Sequence, residues 1–199
     1  IKYPIDNNLF ALAYYWKAEA YYYTEDYANA IESFNAFNLK DGSFLLEEYK
    51  QAHYSLAYSY YQSSKYKDAI LWFRKYISLS DDIQKQTDVY LRLGDAYYMT
   101  QDYSRAQGFY SLAEESGAFD VDYAIHQQIQ CFSLTNQRDN KRTALSQLIS
   151  DYPQSLYNDD AMLNLGIMYL NEDRRDESVS LLSKLINKHP KSTLEKTAL

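Results

Sequence analysis

Cysteine occurs once in the 199 residues, as Cys131. A lone thiol closes no internal disulfide, so the fold rests on packing and the cysteine content does not mark a compartment. Proline appears three times and glycine five times, which leaves few breaks for tight turns and favours long helices. No apolar run approaches the roughly 18 residues needed to span a bilayer. Positive charge is short as well. The formal net charge is −7, so there is no electrostatic footprint for a nucleic-acid backbone. The acid excess is concentrated in residues 1–120, with 17 acids against 11 bases, which reads as a solvated surface mildly favouring a basic or neutral partner. The opening "IKYP" carries neither an initiator Met nor a signal peptide, and leads us to expect a processed form or an excised fragment.

What is abundant is aromatic. Aromatics make up 17% of the chain, 23 of them tyrosines, beside 46% hydrophobic and 24% charged residues, a balance that favours a globular core over disorder. The tyrosines recur in a frame. "EDYANAIESF" (25–34), "SKYKDAILWF" (64–73) and "QDYSRAQGFY" (101–110) each place a Tyr three residues before an Ala and an aromatic four residues after it. Those alanines are Ala30, Ala69 and Ala106. Twelve positions upstream of each lies a small residue (Ala18, Ala57, Gly94), followed after three residues by Tyr21, Tyr60 or Tyr97. Two further copies lack the tyrosines. "LSQLISDYPQS" (145–155) and "LSKLINKHPKS" (182–192) match without a gap at an offset of 37. The fourth copy departs from the frame by placing Ile129 and Lys141 at the two small-residue positions, and the fifth has Ser178 where Ala is usual.

A unit copied at this period resembles the tetratricopeptide repeat family, in which each unit of about 34 residues is a pair of antiparallel helices. Residues His53, Leu56, Ala57, Tyr60, Ala69 and Phe73 carry the resemblance, as do Tyr90, Leu93, Gly94, Tyr97, Ala106, Tyr110 and Ala113. The fifth unit adds Met162, Leu165, Gly166, Tyr169, Leu182 and Pro190. The resemblance implies an all-α fold, a right-handed α-solenoid of antiparallel helix pairs, forming one array over 1–199. The repeats fall at about 11–44, 50–83, 87–120, 122–155 and 159–192, with 193–199 opening a sixth as part of a longer array. Expected helix pairs are 11–23/27–39, 47–62/66–78, 84–99/103–116, 121–135/139–151 and 158–171/175–188. Small residues where helices approach closely, with aromatics beside them, support this independently. A single unit cannot bury its own apolar face, so units must stack.

The sequence offers no catalytic constellation. His53, His126 and His189 fall in three different repeats, and neither His-Glu-x-x-His nor Cys-x-x-Cys occurs, so no metal site and no cofactor are expected. The Asp pairs at 81–82 and 159–160 sit beside helix starts, where capping and dipole compensation explain them. Cys131 and His126 stand five apart on one helix and point to different sides. There is no Gly-rich phosphate loop and no Gly-x-Ser-x-Gly elbow, so an enzyme is not expected.

In the resembled family, the concave face is lined mainly by the first helix of each unit. The lining positions lie one residue after the small residue, four after it and three before it. Here those positions supply Glu19, Tyr58 and Asp95, then Tyr22, Tyr61 and Tyr98, then Tyr15, Tyr54 and Leu91. In the last two units they supply Gln130 and Ile167, Ser133 and Leu170, and His126 and Leu163. Tyrosine offers wide contact and a hydroxyl handle, which suits peptide recognition. Some family members grip a C-terminal carboxylate with Lys and Asn on these inner positions; Tyr54 and Tyr58 stand there instead. The expected role is a non-catalytic scaffold binding a partner peptide or helix, with self-association left open. The alternative is a glycan-binding or envelope-assembly surface protein using Tyr and Trp16 platforms. The "YPQS" and "HPKS" turns resemble those of bacterial cell-envelope arrays, so a periplasmic or envelope location is expected, with the cytoplasm as the alternative.

Overall fold

The computed structural model describes residues 7–188. Among these are ten α-helices and no strands. The helices are α1 (Asn7–Tyr23), α2 (Tyr27–Asn38), α3 (Glu48–Gln62), α4 (Tyr66–Ile77), α5 (Ile83–Met99), α6 (Tyr103–Ser116), α7 (Val121–Leu134), α8 (Arg138–Asp151), α9 (Asn158–Asn171) and α10 (Arg175–Lys188). Most ends match the expected pairs to within a residue; α1 starts four residues earlier. A short 3₁₀ turn at Ser43–Leu45, entered through Gly42 at φ 80°, was not expected. Pro190, His189 and the start of a sixth repeat lie outside the described residues.

The turn inside each pair is built the same way five times. A residue in the left-handed region ends the first helix: Glu25, Ser64, Gln101, Asn136 and Asp173, with φ between 56° and 64°. None is glycine. The next backbone N–H then reaches back across the turn to the carbonyl of the aromatic that follows the small residue by three. These bonds run from Asp26 to Tyr21, Lys65 to Tyr60, Asp102 to Tyr97, Gln137 to Phe132 and Arg174 to Tyr169, each at 2.9 Å. This closure satisfies carbonyls that a helix end leaves orphaned and reverses the chain in three residues. The aromatic column thus has two roles, side-chain packing and turn closure.

Starts of helices are capped individually. Asp26 and Asp82 accept the backbone N–H of Asn29 (3.2 Å) and Lys85 (3.1 Å). Asn158, buried at the start of α9, donates its side-chain amide to the carbonyls of Leu148, Ile149 and Tyr152, and so ties off the end of α8.

By contacts the chain divides into two compact units, residues 1–102 and 103–199. The first unit holds the hairpins α1/α2 and α3/α4, with α2 packed on α3 and α4 on α5. Its core is Ala11, Tyr15, Ala18, Ala30, Phe34, Phe37, Ala52 and Leu56, ringed by half-buried tyrosines and Trp72. The second unit holds α6 against α7, the hairpins α7/α8 and α9/α10, and α8 against α9. Its core is aliphatic: Ile125, Ile129, Leu145, Leu148, Leu165 and Met168, with Phe132. Small residues do the work expected of them. A Cβ added to Gly166 would stand 2.6 Å from Leu182 Cδ2, and Ser178 satisfies its buried hydroxyl by donating to the Gly166 carbonyl at 2.9 Å.

Candidate functional site: the first-helix face of residues 7–102

Helices α1, α3 and α5 are the first helices of their repeats, and the expected lining residues of the first unit all lie on them. Their burial is graded by position. The set three before the small residue turns toward the second helix. Tyr15 packs on Phe34 and Phe37 (ring centroids 6.3 and 5.6 Å), and Leu91 is fully enclosed, so these two support the face from beneath. Glu19 and Asp95 are buried, while Tyr22, Tyr54, Tyr58, Tyr61 and Tyr98 are half-buried.

The tyrosine hydroxyls are anchored one repeat along. Tyr54 and Tyr58 both donate to Asp88 Oδ2, the first at 2.8 Å, and Tyr61 donates to Asp95 Oδ2 at 3.3 Å. Arg92 lies between the two carboxylates, 2.6 Å from Asp95 and 3.7 Å from Asp88. Asp88, Arg92 and Asp95 are spaced four and three apart, which places them on one face of α5. Lys85, one turn earlier, donates to Gln51 at 2.8 Å and lies over the Tyr54 ring. Between α1 and α3, Ser55 donates to Glu19 at 2.8 Å. The rings interlock: Tyr58 meets Tyr54, Tyr61 and Phe73, and Tyr61 also meets Tyr66. Tyr22 packs on Tyr23 and Tyr27 within its own repeat.

Ionisation follows from this burial. The Tyr22 and Tyr61 phenols are pushed up to about 12, first by burial and then by Tyr27 and Asp95 respectively. Burial and then Asp88 carry Tyr54 and Tyr58 higher still. All four remain protonated donors at neutral pH. The Glu19 carboxyl is raised by burial, against the hydrogen bonds from Ser55 and Tyr15 that favour its charged form.

Sequence reasoning missed Asp88, Arg92, Gln51 and Lys85, which fall outside the lining columns. One signal was available: a half-buried tyrosine needs an acceptor, and the Tyr54–Asp88, Tyr61–Asp95 and Gln51–Lys85 contacts all join residues 34 apart. Asp82 caps α5 as expected, whereas Asp159 and Asp160 lie in the first turn of α9 and Asp159 accepts only the adjacent Asp160 backbone N–H. No group of three or more metal-ligating side chains occurs among the described residues. No described helix is long and apolar enough to cross a membrane.

Five turns of one design, joining antiparallel helices with small residues at their close approaches, define an all-α helical-repeat solenoid class. Family profiles described as "Tetratricopeptide repeat" match residues 17–82, and again 123–155 and 160–192. The chain belongs to the tetratricopeptide repeat family. A search of curated proteins found no match. Among solved structures, the chain is similar to YrrB, described as "a TPR protein with an unusual peptide-binding site", with TM-score 0.68 at 20% identity over 94% of this chain and 91% of that one. It is similar to MamA, with TM-score 0.68 at 20% identity over 91% and 92%. A tetratricopeptide repeat protein from Parabacteroides merdae gives TM-score 0.69 at 14% identity, over 94% of this chain and 70% of that one. At these identities the likeness is one of fold.

Proposed function

We propose that this chain is a non-catalytic protein-interaction scaffold, and that the α1/α3/α5 face of its first unit receives a peptide or helix of a partner protein. One observation carries the reading. Tyr54, Tyr58 and Tyr61 are half-exposed yet held by Asp88 and Asp95, so an aromatic surface is fixed in place before any partner arrives. A preordered face loses less side-chain entropy on binding. Membership of a family whose proteins bind protein partners supports it, as does the peptide-binding site named for YrrB. The ring packing favours a polypeptide over a sugar, because these tyrosines meet one another at steep angles instead of presenting an open flat platform. Asp88, Asp95 and Glu19 outnumber Arg92 and Lys85, so a partner segment carrying Lys or Arg beside apolar residues fits best. For location we propose the periplasm or cell envelope, with the cytoplasm as the alternative; fractionating cells that express the full-length protein tests this.

Panning a random peptide library on the purified protein tests the binding face. Enriched peptides should combine basic and apolar residues. Tyr61→Ala with Tyr98→Ala should weaken their binding roughly tenfold or more, with a melting shift of only a few degrees. Peptides that bind the double variant as well as the wild type would remove the face from consideration. If melting collapses while the folded fraction binds normally, these tyrosines are packing.

A further inference from the structure

The fourth repeat breaks the small-residue code, and the break leaves a feature that the scaffold reading does not use. At the second small position the other repeats carry Ala30, Ala69, Ala106 and Ser178, each at most 2% exposed. The fourth carries Lys141 on the first turns of α8, half-buried, with Ile129 opposite at the other small position. A lysine there cannot be enclosed as alanine is, because its ammonium needs water or an acceptor. Among the described residues it has neither a carboxylate nor any other side chain as partner.

Lys141 instead lines a cavity of about 270 Å³ with Arg138, Asn136, Asn171, Ser133, Phe132 and Met168. The cavity is rich in uncommitted donors. Arg138 is drawn toward Glu172, its Nε 3.1 Å from Oε1, with its side chain about half exposed beside the cavity. The side-chain amides of Asn136 and Asn171 have no partner either. Ser133 donates to the Ile129 carbonyl at 2.8 Å, so its hydroxyl hydrogen is already used. No acidic side chain lines the cavity. The nearby Glu172 is shared among Arg138, Arg142 and Arg174. The lining sits at the N-terminal end of α8, where Asp139 of the first turn pairs with Arg142 at 3.1 Å. Phe132 and Met168 supply apolar surface beside these donors.

We propose that this cavity is a carboxylate-binding subsite, in which Lys141 and Arg138 hold an acidic side chain while Phe132 and Met168 take an apolar neighbour of the same segment. That the carboxylate comes from a polypeptide rests on the scaffold reading; the site itself lies in the second unit, whereas the tyrosine face belongs to the first. Charge-assisted bonds to a planar carboxylate suit an arginine fork beside a lysine.

The test is an NMR titration of the whole chain that follows the Lys141 and Arg138 side-chain signals and the Asn136 and Asn171 amides. The probes are capped Leu-Glu-Leu amide, its Leu-Gln-Leu counterpart, sodium acetate and inorganic phosphate. The Glu peptide should give saturating shifts at all four residues, with roughly tenfold weaker binding for the Gln peptide. Lys141→Ala should lose that binding too. Because it restores the residue of the sister repeats, its melting temperature should hold or rise, so the loss cannot be blamed on misfolding. Equal shifts from both peptides, or shifts that never saturate, would mean a lysine that merely lays its methylenes on apolar surface, and would overturn the proposal. Phosphate or acetate binding as tightly as the Glu peptide would also overturn it, in favour of a free-anion site. Neither result bears on the tyrosine face, which the peptide library tests separately.

Discussion

The two units use one backbone frame and fill it differently. In the first, the face of the first helices is tyrosine tied by hydroxyls to Asp88 and Asp95. In the second, the same columns present Gln130, Ser133, Ile167 and Leu170, and the last two are 44% and 55% exposed. The cores differ in parallel, aromatic in one and aliphatic in the other. The five turns are nevertheless the same, down to the 2.9 Å closing bond. The frame is therefore specified by turn closure and close helix approach, which leaves the exposed columns of the first helices free to vary.

The largest test of this comparison is core truncation. Phe73, fully buried and in ring contact with Tyr58 and Tyr61, supports the tyrosine face from below. Phe73→Ala should cost about 3–5 kcal/mol and loosen that face. Leu148→Ala, also at a fully buried position, should cost about 2–5 kcal/mol and leave the face untouched. Denaturant unfolding gives the costs, and tyrosine side-chain NMR shifts report the face. If Leu148→Ala moves the signals of Tyr54 and Tyr58 as much as Phe73→Ala does, the division of labour fails.

A second contrast is between two histidines. His53 is fully buried between Tyr49 and Trp72. Its Nδ1 donates to the Tyr49 carbonyl, and its Nε2 is enclosed without a partner. Burial, helped by Lys75 and opposed by the Tyr49 carbonyl, lowers it to about 4. The fold thus prefers neutral His53, and this contribution is complete above the ordinary value of 6.5. It is lost as pH falls toward 4, because the unfolded chain takes up the proton first. The loss should reach about 3 kcal/mol and be absent from His53→Phe, so the wild-type stability should fall relative to the variant's on acidification. His126, stacked on Tyr157, is lowered by burial but held up by Asp160 and Asp122, so His126→Phe should show a weaker trend of the same sign. Parallel curves for wild type and His53→Phe would show that the buried ring does not titrate in this range.

Much of the fold could be read from the sequence because its repeating parts are sterically exacting. Ala30, Ala69 and Ala106 admit nothing larger without a shift, and their spacing located most helix ends to within a residue. The face was legible only in outline. Columns named Tyr54, Tyr58 and Tyr61, but hydroxyl partners depend on how far one repeat advances over the next, which the columns do not encode. Asp88 and Arg92 look like ordinary charged positions on a polar helix until that advance is known. Lys141 was visible as an exception to the code, whereas its consequence, a cavity with unpaired donors, required coordinates.

The smallest effect tests the turns themselves. Ser64 and Asn136 hold the same left-handed conformation, at φ 57° and 56°. Serine pays a steric cost there that asparagine, which tolerates this region better, largely avoids. Ser64→Gly relieves that cost but makes the unfolded chain more flexible, so the net gain should be about 0.5 kcal/mol. Asn136→Gly has less strain to relieve and the same entropy to lose, so it should be neutral or slightly destabilising. Ser64→Val is the sharper companion, since a β-branched residue fits this region badly, and it should lower the melting temperature. If Ser64→Gly gains nothing while Ser64→Val is harmless, left-handed closure is not what fixes the hairpins, and the shared frame must come from packing of the small residues alone.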